Sequence, residues 1–382
     1  MHTAMRTGQA TLGRDVEAGL DSPGPRWEDV GAATERALTA WLEESRCTAA
    51  TPRLGLLWER IAAGIEGGKR LRPQLAFHAY AAFGGRDADA CATLAAAIEL
   101  LHAALLVHDD VIDRDFVRRG RPNIAGLYRD DALARGLSQE EARHLGVSVA
   151  VIAGDLLLAG AFRLADLASA DPKVRVRLSD VMHAAVTDAA AGELDDVLMA
   201  HDPEQTLDDV LEMEQLKTAA YSFAAPMRLG AILAGAPETS AEDVARVGML
   251  VGAAYQVIDD VLGTFGDEAQ TGKPVTSDLR EGKLTVLTAY ARSHPEVARH
   301  LAPSSGIAVD PNAVLDPDAP GDQDGVGHVR DILHGMGADT HALTLAHSMV
   351  TEALDEARRC DLPPTLRSEL TRICNHVLHR ER

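Results

Sequence analysis

The chain has 382 residues, of which 46% are hydrophobic and 25% are charged, the ordinary balance of a soluble globular protein. Its formal net charge of −21 argues against a protein that binds nucleic acid, because such a protein needs a basic face. The four cysteines show neither metal-ligand spacing nor the density of a disulfide scaffold, so they fit a reducing cytoplasm.

Residues 1–26 contain Gly, Pro and scattered charge but no apolar core of the signal-peptide type, and we interpret them as a flexible N-terminal lead. Residues 27–382 show helical periodicity and no convincing strand alternation, which predicts one all-α domain. The predicted helices are 32–44, 54–64, 71–83, 89–112, 141–168, 174–198, 206–234, 241–262, 283–300 and 339–379. Residues 302–327, rich in Pro, Gly and Asp, are predicted to be a disordered insertion. Charged residues interrupt the longest apolar stretches, so we expect no transmembrane segment.

An acidic cluster ends each of two long apolar helices. Asp109, Asp110 and Asp113 end the first helix, and Asp259 and Asp260 end the second. Carboxylates at i and i+4 near a helix C-terminus repel each other and the helix dipole, so they favour a bound cation. Mg²⁺ is the obvious candidate, because proteins hold it with one or two carboxylates plus water and substrate phosphate. Either cluster alone could be a solvated helix end, but together they predict a metal clamp.

Basic residues accompany these clusters along the sequence. The chain has only five lysines against 32 arginines, and four of the lysines lie in motif-like contexts: Lys69, Lys217, Lys273 and Lys283. In a chain that otherwise favours arginine, this indicates positions that need a compact ammonium charge, although each lysine taken singly could be a surface residue. Cations that converge on metal-bound carboxylates indicate a phosphate-rich ligand.

In this order, the motifs resemble those of the trans-isoprenyl diphosphate synthases, also called polyprenyl synthetases, and most of all the bacterial geranylgeranyl diphosphate synthases. The matching motifs are Gly-Gly-Lys-x-x-Arg at 67–72, the Asp-rich motif at 109–113, Arg118-Arg119-Gly120, Lys217-Thr218, Gln256-x-x-Asp259-Asp260, Gly272-Lys273-Pro274 and Asp278 through Lys283. The resemblance implies a single-domain, all-α isoprenoid synthase bundle around a deep central cavity, usually a homodimer.

The resemblance also implies a reaction, the head-to-tail condensation of isopentenyl diphosphate with an allylic diphosphate such as dimethylallyl, geranyl or farnesyl diphosphate. It implies three Mg²⁺ per site, bound by Asp109, Asp113 and Asp259 with Asp110 and Asp260 in support. The implied catalytic residues are Asp109, Asp113, Lys217, Asp259 and Lys273. The implied substrate-binding residues are Lys69, Arg72, His102, Arg118, Arg119, Lys217, Thr218, Gln256, Lys273 and Lys283.

Some of these residues also have a purely structural interpretation. His102 could be a core histidine, Gln256 could hydrogen-bond backbone in a buried helix, and Thr218 could bond to its own turn. Gly263 departs from the family, which often has a third aspartate at that position. Metal binding at the second cluster therefore depends on Asp259, unless the loop that carries Asp267 folds back.

Two other functions remain open on these residues. A class I terpene cyclase would share the fold and the first acidic motif, but it would not need the second diphosphate site that Lys69, Arg72 and Lys283 indicate. A regulatory subunit of a heteromeric synthase would usually lose one Asp-rich motif, and Gly263 is only a partial loss.

The product length depends on residues that precede the first acidic cluster. We expect the growing chain to run beside that helix and to meet Ala104 and Leu105 first, with Leu101 one turn deeper. Short-product members of the family usually place a bulky aromatic residue near the position of Ala104. Its absence predicts geranylgeranyl diphosphate, C20, or a longer product.

Overall fold

The computed structural model describes residues 24–199, 204–266, 279, 282–300 and 323–380. Its helices are α1 Trp27–Cys47, α2 Pro52–Ile65, α3 Leu71–Ala82, α4 Ala88–Ile112, α5 Ile124–Ala134, α6 Gln139–Leu167, α7 Pro172–Met199, α8 Leu207–Glu214, a π-helix Gln215–Ala224, α9 Ala225–Leu233, α10 Glu238–Phe265, α11 Val286–Tyr290, α12 Pro295–His300, α13 Gln323–Gly335, α14 Ala338–Arg359 and α15 Pro364–Leu378. Two short strands, β1 Val117–Arg118 and β2 Arg121–Pro122, pair antiparallel. The all-α prediction is confirmed.

Several boundaries differ from the sequence prediction. The structure adds α5, whose N-cap Asn123 accepts a hydrogen bond from the backbone of Gly126. The predicted helix 339–379 is two helices, because Pro363 and Pro364 stop one and start the next.

Two predicted segments lie largely outside the described residues. Helix α13 begins at Gln323, inside the predicted insertion 302–327, so that prediction is wrong for its last five residues. Residues 302–322 of the insertion, and residues 1–23 of the predicted N-terminal lead, are not described.

Helix α4 lies in one of two main apolar cores and packs against α6. Its N-cap Asp87 accepts hydrogen bonds from the backbone of Asp89 and Ala90. Buried side chains such as Leu100 on α4, Leu157 on α6 and Leu178 on α7 form this core. Each fully buried aliphatic side chain contributes about 1.5–3 kcal/mol. A second core surrounds α10 and α14.

By length and apolar composition alone, α4 and α6 are each long enough to cross a membrane. In α4, 61% of the most apolar window is buried inside the protein, which is typical of the core helix of a soluble protein. In α6 only 39% of that window is buried. Helix α6 therefore keeps an apolar face on the surface.

Candidate active site

A cavity of about 1570 Å³ is lined by residues of α4, α7, α10 and the π-helix. Asp109 reaches it from the C-terminal end of α4, while Asp259 and Asp260 reach it from α10. The structure thus brings together two acidic clusters that are far apart in the sequence. Other predicted site residues that line this cavity are Lys69, Leu105, Arg119, Lys217, Thr218, Gln256 and Lys283.

The first acidic cluster is tied to the β-hairpin by Arg118. This guanidinium lies 3.1 Å from a carboxylate oxygen of Asp109 and 2.6 Å from one of Asp110. Asp110 is buried, and burial raises the pKa of its carboxyl group while Arg118 opposes that rise. Asp110 is therefore held next to Asp109 as an ion-pair partner of Arg118.

Lys217 connects this cluster to α7. Its Nζ lies 2.6 Å from Asp196, 2.9 Å from Glu193 and 3.5 Å from Asp109. Burial alone would lower the pKa of Lys217, but these carboxylates outweigh burial and raise it. The ammonium group is therefore fixed in position and stays charged.

A glycine on α7 allows this close approach. A Cβ added to Gly192 would lie only 2.2 Å from the backbone nitrogen of Lys217. With glycine there, the next residue, Glu193, reaches the Lys217 ammonium group.

Neither Glu193 nor Asp196 was predicted from the sequence. The signal that points to them is the run Glu193-Leu194-Asp195-Asp196, three acidic residues inside an Ala-rich helix. Their partner, Lys217, lies on another helix, and one sequence does not reveal that pairing.

Oxygen atoms of Asp109, Asp113 and Glu193 lie within 4.8 Å of one another. Lys283 donates to Asp113 over 2.9 Å, so cationic groups already face these carboxylates. One carboxylate oxygen of Glu193, Oε1, is buried and has no hydrogen-bond partner in the part of the chain that the structure describes. An all-oxygen donor set with an orphaned oxygen fits a hard cation such as Mg²⁺.

The two aspartates of the second cluster have different surroundings. Asp259 lies 2.5 Å from the Arg380 guanidinium, which also lies 4.3 Å from the centre of the Tyr255 ring. Asp260 is buried and accepts hydrogen bonds from Gln256 (3.0 Å) and from the backbone of Val286 (3.2 Å). Asp260 thereby fixes the start of α11 against α10.

Glu214 lies behind the second cluster. It is buried, and burial together with the nearby charge of Asp260 raises the pKa of its carboxyl group well above the ordinary value. Gly263 lines the cavity without offering a ligand. Lys273 and Asp267 lie outside the described residues.

The remaining predicted residues form a second basic group around Tyr221. Arg72 donates to the Ser222 hydroxyl at 2.8 Å and lies 5.2 Å from the centre of the Tyr221 ring. His102 Nδ1 lies 3.4 Å from the Tyr221 hydroxyl, and Tyr221 lines the cavity. Burial, helped by Arg72 and other arginines, lowers the pKa of His102 well below its ordinary value. His102 is therefore a neutral hydrogen-bonding group.

The residues predicted to limit product length divide into two sets. Leu105 lines the cavity, whereas Ala104 and Leu101 are buried in the core and are not among its lining residues, so their role in product length stays a prediction. Rotation accounts for Ala104: at about 100° per residue, position 105 lies about 40° from Asp109 around the helix, whereas position 104 lies about 140° away. Besides Leu105, the apolar wall includes Leu106, Leu158, Val186, Ala189 and Ala190.

Comparison with known proteins agrees with this geometry. Residues 57–306 match the family model described as Polyprenyl synthetase. A geranylgeranyl diphosphate synthase of Mycobacterium tuberculosis is 36% identical over 277 residues, which cover 72% of this chain and 73% of the relative. A (2E,6E)-farnesyl diphosphate synthase of the same species is 31% identical over 315 residues, 82% of this chain and 80% of the relative.

A solved structure is also similar. It is the geranylgeranyl pyrophosphate synthase of Corynebacterium glutamicum, complexed with isoprenyl diphosphate and magnesium, with a TM-score of 0.81 and 26% identity. The match covers 93% of this chain and 99% of that one.

Proposed function

Because this chain belongs to the polyprenyl synthetase family, we propose that it condenses isopentenyl diphosphate with an allylic diphosphate, head to tail and in trans geometry. The observation that carries the proposal is one cavity that two acidic clusters and at least four cationic side chains reach. Such a site can neutralise one diphosphate through metal and hold a second one through basic residues.

On the metal side, Asp109, Asp113 and Glu193 would hold Mg²⁺, and Asp259 would hold it from the opposite wall. Three ions per site is the number that the family resemblance implies. When bound, Mg²⁺ supplies positive charge that stabilises the diphosphate as a leaving group. Asp110 and Asp260 support this site through their hydrogen bonds to Arg118 and Val286.

Cationic side chains complete the allylic subsite. Arg118, Lys217 and Lys283 face the acidic residues of α4, and we include Lys273 on the strength of its motif. As the allylic C–O bond breaks, negative charge grows on the departing oxygens and these groups stabilise it. Because Asp196 already holds Lys217 at 2.6 Å, little reorganisation is needed at that moment. Thr218 and Gln256 line the cavity, where we assign them to the allylic cation.

The second subsite would bind isopentenyl diphosphate through Lys69, Arg72, His102 and Arg119. Its double bond attacks the allylic cation, a carbon–carbon bond forms, and a proton leaves, so that the chain grows by five carbons. The departed diphosphate is a suitable base for that proton. A terpene cyclase would have no use for this subsite, and a regulatory subunit would not need a complete acidic cluster on α4, so neither alternative is favoured.

We propose geranylgeranyl diphosphate, C20, as the product. The cavity wall next to the acidic cluster includes aliphatic residues such as Leu105 and Val186, and α4 has no Phe, Tyr or Trp to shorten it. The similar proteins make the same case, since two of them are named as geranylgeranyl diphosphate or pyrophosphate synthases.

We also propose a homodimer in the cytoplasm. Val151 and Ile152 on α6 are 40% and 51% exposed, and Leu194 and Leu198 on α7 are exposed as well. Exposed aliphatic side chains on these two long helices are candidates for a protein–protein interface. A second copy of the chain would bury them.

The test is to incubate purified protein with Mg²⁺, isopentenyl diphosphate and allylic diphosphates of 5, 10 and 15 carbons, and to identify the products. We expect a C20 diphosphate. A cyclic hydrocarbon made without isopentenyl diphosphate would indicate a cyclase. Activity only after a second protein is added would indicate a regulatory subunit.

A further inference from the structure

The turn that joins α2 to α3 has an unusual backbone. Gly67, Gly68 and Arg70 have φ angles of +80°, +100° and +49°. Glycine adopts such angles freely, but a residue with a Cβ pays about 1–2 kcal/mol there. A non-glycine residue stays in this conformation only where its surroundings determine it. The surroundings of Arg70 therefore set the shape of this turn.

The guanidinium of Arg70 supplies that constraint. It is 11% exposed and binds both carboxylate oxygens of Glu35, at 2.6 and 3.0 Å. It also donates to Glu99 at 2.6 Å and to the backbone carbonyl of Ile65 at 3.2 Å. Glu35 lies on α1, Glu99 lies on α4, and Ile65 is the last residue of α2. One planar fork thus ties three helices to the turn, a geometry that lysine does not reproduce.

Adjacent residues of the turn point in opposite directions. Lys69 is exposed and lines the cavity, whereas Arg70 turns into the protein and does not line it. Gln74 donates a hydrogen bond to the backbone carbonyl of Lys69 at 2.8 Å. Arg72, two residues after Arg70, donates to the Ser222 hydroxyl. The direction of the Lys69 side chain is therefore set by its neighbour Arg70, which lies outside the cavity.

We propose that Arg70 is a positioning residue for the isopentenyl diphosphate subsite: its fork to Glu35 and Glu99 fixes the turn so that Lys69 and Arg72 face the diphosphate. The inference rests on the proposed function and adds a residue that acts on substrate only through its neighbours. Of the three basic residues in Lys69-Arg70-Leu71-Arg72, Lys69 and Arg72 bind the diphosphate, and Arg70 orients these two residues.

The first variant is Arg70→Lys, which keeps the charge and loses the fork. The measurements are the KM for each substrate, kcat and the thermal midpoint. We expect the KM for isopentenyl diphosphate to rise about tenfold or more, since misplacing a binding group by about 1 Å has effects of this size. The KM for the allylic diphosphate should change by less than about twofold, because the metal-facing residues do not contact Arg70.

Arg60→Lys is the matched control. Arg60 lies 2.5 Å from Asp131, its side chain is 19% exposed, and the pair joins α2 to α5. Neither residue lines the cavity. This control should lower the thermal midpoint and leave both KM values unchanged.

A double variant separates positioning from folding. In Arg70→Met alone, Glu99 remains as an unpaired buried charge, which is strongly destabilising. Arg70→Met with Glu99→Met removes both charges, so the thermal midpoint should recover towards wild type. The KM for isopentenyl diphosphate should stay raised, because the fork is still missing.

Two results would overturn the inference while leaving the proposed function intact: an active Arg70→Lys enzyme with an unchanged KM for isopentenyl diphosphate, or a double variant in which that KM recovers with stability. A wild-type enzyme that does not consume isopentenyl diphosphate would instead overturn the proposed function, and this inference with it.

Discussion

His102 is surrounded by positive charge at a position where the family resemblance implies a substrate-binding group. Burial and the arginines 70, 72, 118 and 119 lower its pKa below the ordinary 6.5. In the unfolded chain the ring takes up a proton near pH 6.5, whereas in the folded protein it stays neutral to lower pH. The stabilisation is therefore complete above pH 6.5 and is lost as the pH falls from there towards the folded-state pKa.

We therefore expect wild type to lose more stability on acidification than His102→Gln. The measurement is the denaturant midpoint of both proteins between about pH 5 and pH 8. Other titrating groups contribute equally to both profiles and cancel in the difference. Parallel profiles would show that His102 titrates normally in the folded protein.

The carboxylates at the end of α4 lead to a prediction about metal binding. Asp109→Asn and Asp113→Asn each replace an anionic ligand with a neutral amide, and we expect turnover to fall by about three orders of magnitude or more. Titration calorimetry with Mn²⁺ should show weaker binding in both variants, and a smaller loss in Glu193→Gln. Asp166→Asn, whose carboxylate pairs with Arg175 at 2.6 Å outside the cavity, is the control. Unchanged Mn²⁺ affinity in Asp109→Asn would contradict the metal assignment.

At this scale, the sequence predicts residues whose partners lie in the same helix or motif. Asp109 and Asp113 are four residues apart on one helix, so their shared face follows from helical geometry. The pairing of Glu193 with Lys217 depends on how α7 packs against the π-helix, and that depends on the whole core. No local pattern contains that information.

Among the elements, α7 and the π-helix are in close backbone contact at Gly192. The Cβ of Gly192→Ala would lie 2.2 Å from the backbone nitrogen of Lys217 and 2.8 Å from the carbonyl oxygen of Met213, so backbone must move. We expect this variant to lower stability by about 1–3 kcal/mol and to reduce kcat by displacing Lys217. Gly64→Ala on α2, where an added Cβ meets nothing within 4 Å, is the control and should keep wild-type kcat. Wild-type kcat in Gly192→Ala would show that this contact does not position Lys217.

The angular positions of residues 104 and 105 around α4 lead to a prediction about product length. Leu105→Phe adds a ring to the cavity wall near Asp109, so we expect the product to shorten by one or more five-carbon units. Ala104→Phe makes a similar addition one residue earlier, in the filled core, so it should lower the thermal midpoint by overpacking and leave product length unchanged. Radiolabelled products separated by chain length would distinguish the two. A shorter product from Ala104→Phe alone would place position 104 on the cavity side after all.

The sequence predicts the helices correctly where the apolar periodicity extends over many residues, as in α4, α6 and α10. Short elements such as α5 and the two-residue strands lack enough periods to give a signal, and they form because caps and tertiary contacts hold them. The burial of Ala104 follows from helical rotation, since about 100° per residue places position 104 on the side of α4 away from Asp109.

Over the whole molecule, the charge is unevenly distributed. The chain carries a net −21, yet Lys69, Arg119, Lys217 and Lys283 all line the same cavity as the two acidic clusters. An anionic protein whose cavity combines cationic with acidic side chains favours entry of a small diphosphate together with Mg²⁺ and disfavours nucleic acid. Composition does not predict this distribution, because the fold must bring residues as far apart in sequence as Lys69 and Lys283 into one cavity.

The C-terminal helix takes part in the same site. Arg380, two residues after α15, pairs with one carboxylate oxygen of Asp259, so its guanidinium would compete with a metal ion for that oxygen. Partly exposed pairs of this kind contribute about 0.2–1 kcal/mol, which corresponds to about a 1.4- to 5-fold change in affinity. We therefore expect Arg380→Met to bind Mn²⁺ more tightly by a factor in that range, as measured by calorimetry without substrate.

Arg372→Met is the control for that experiment. Arg372 lies on α15 and pairs with Glu369 at 2.8 Å, so its removal takes the same charge from the same C-terminal region without freeing Asp259. If long-range charge alone mattered, both variants would gain Mn²⁺ affinity equally. A gain confined to Arg380→Met would show direct competition for Asp259, because of these two arginines Arg380 is the one that contacts the carboxylate. Weaker Mn²⁺ binding in Arg380→Met would mean that Arg380 holds Asp259 in the geometry the metal requires, which contradicts competition.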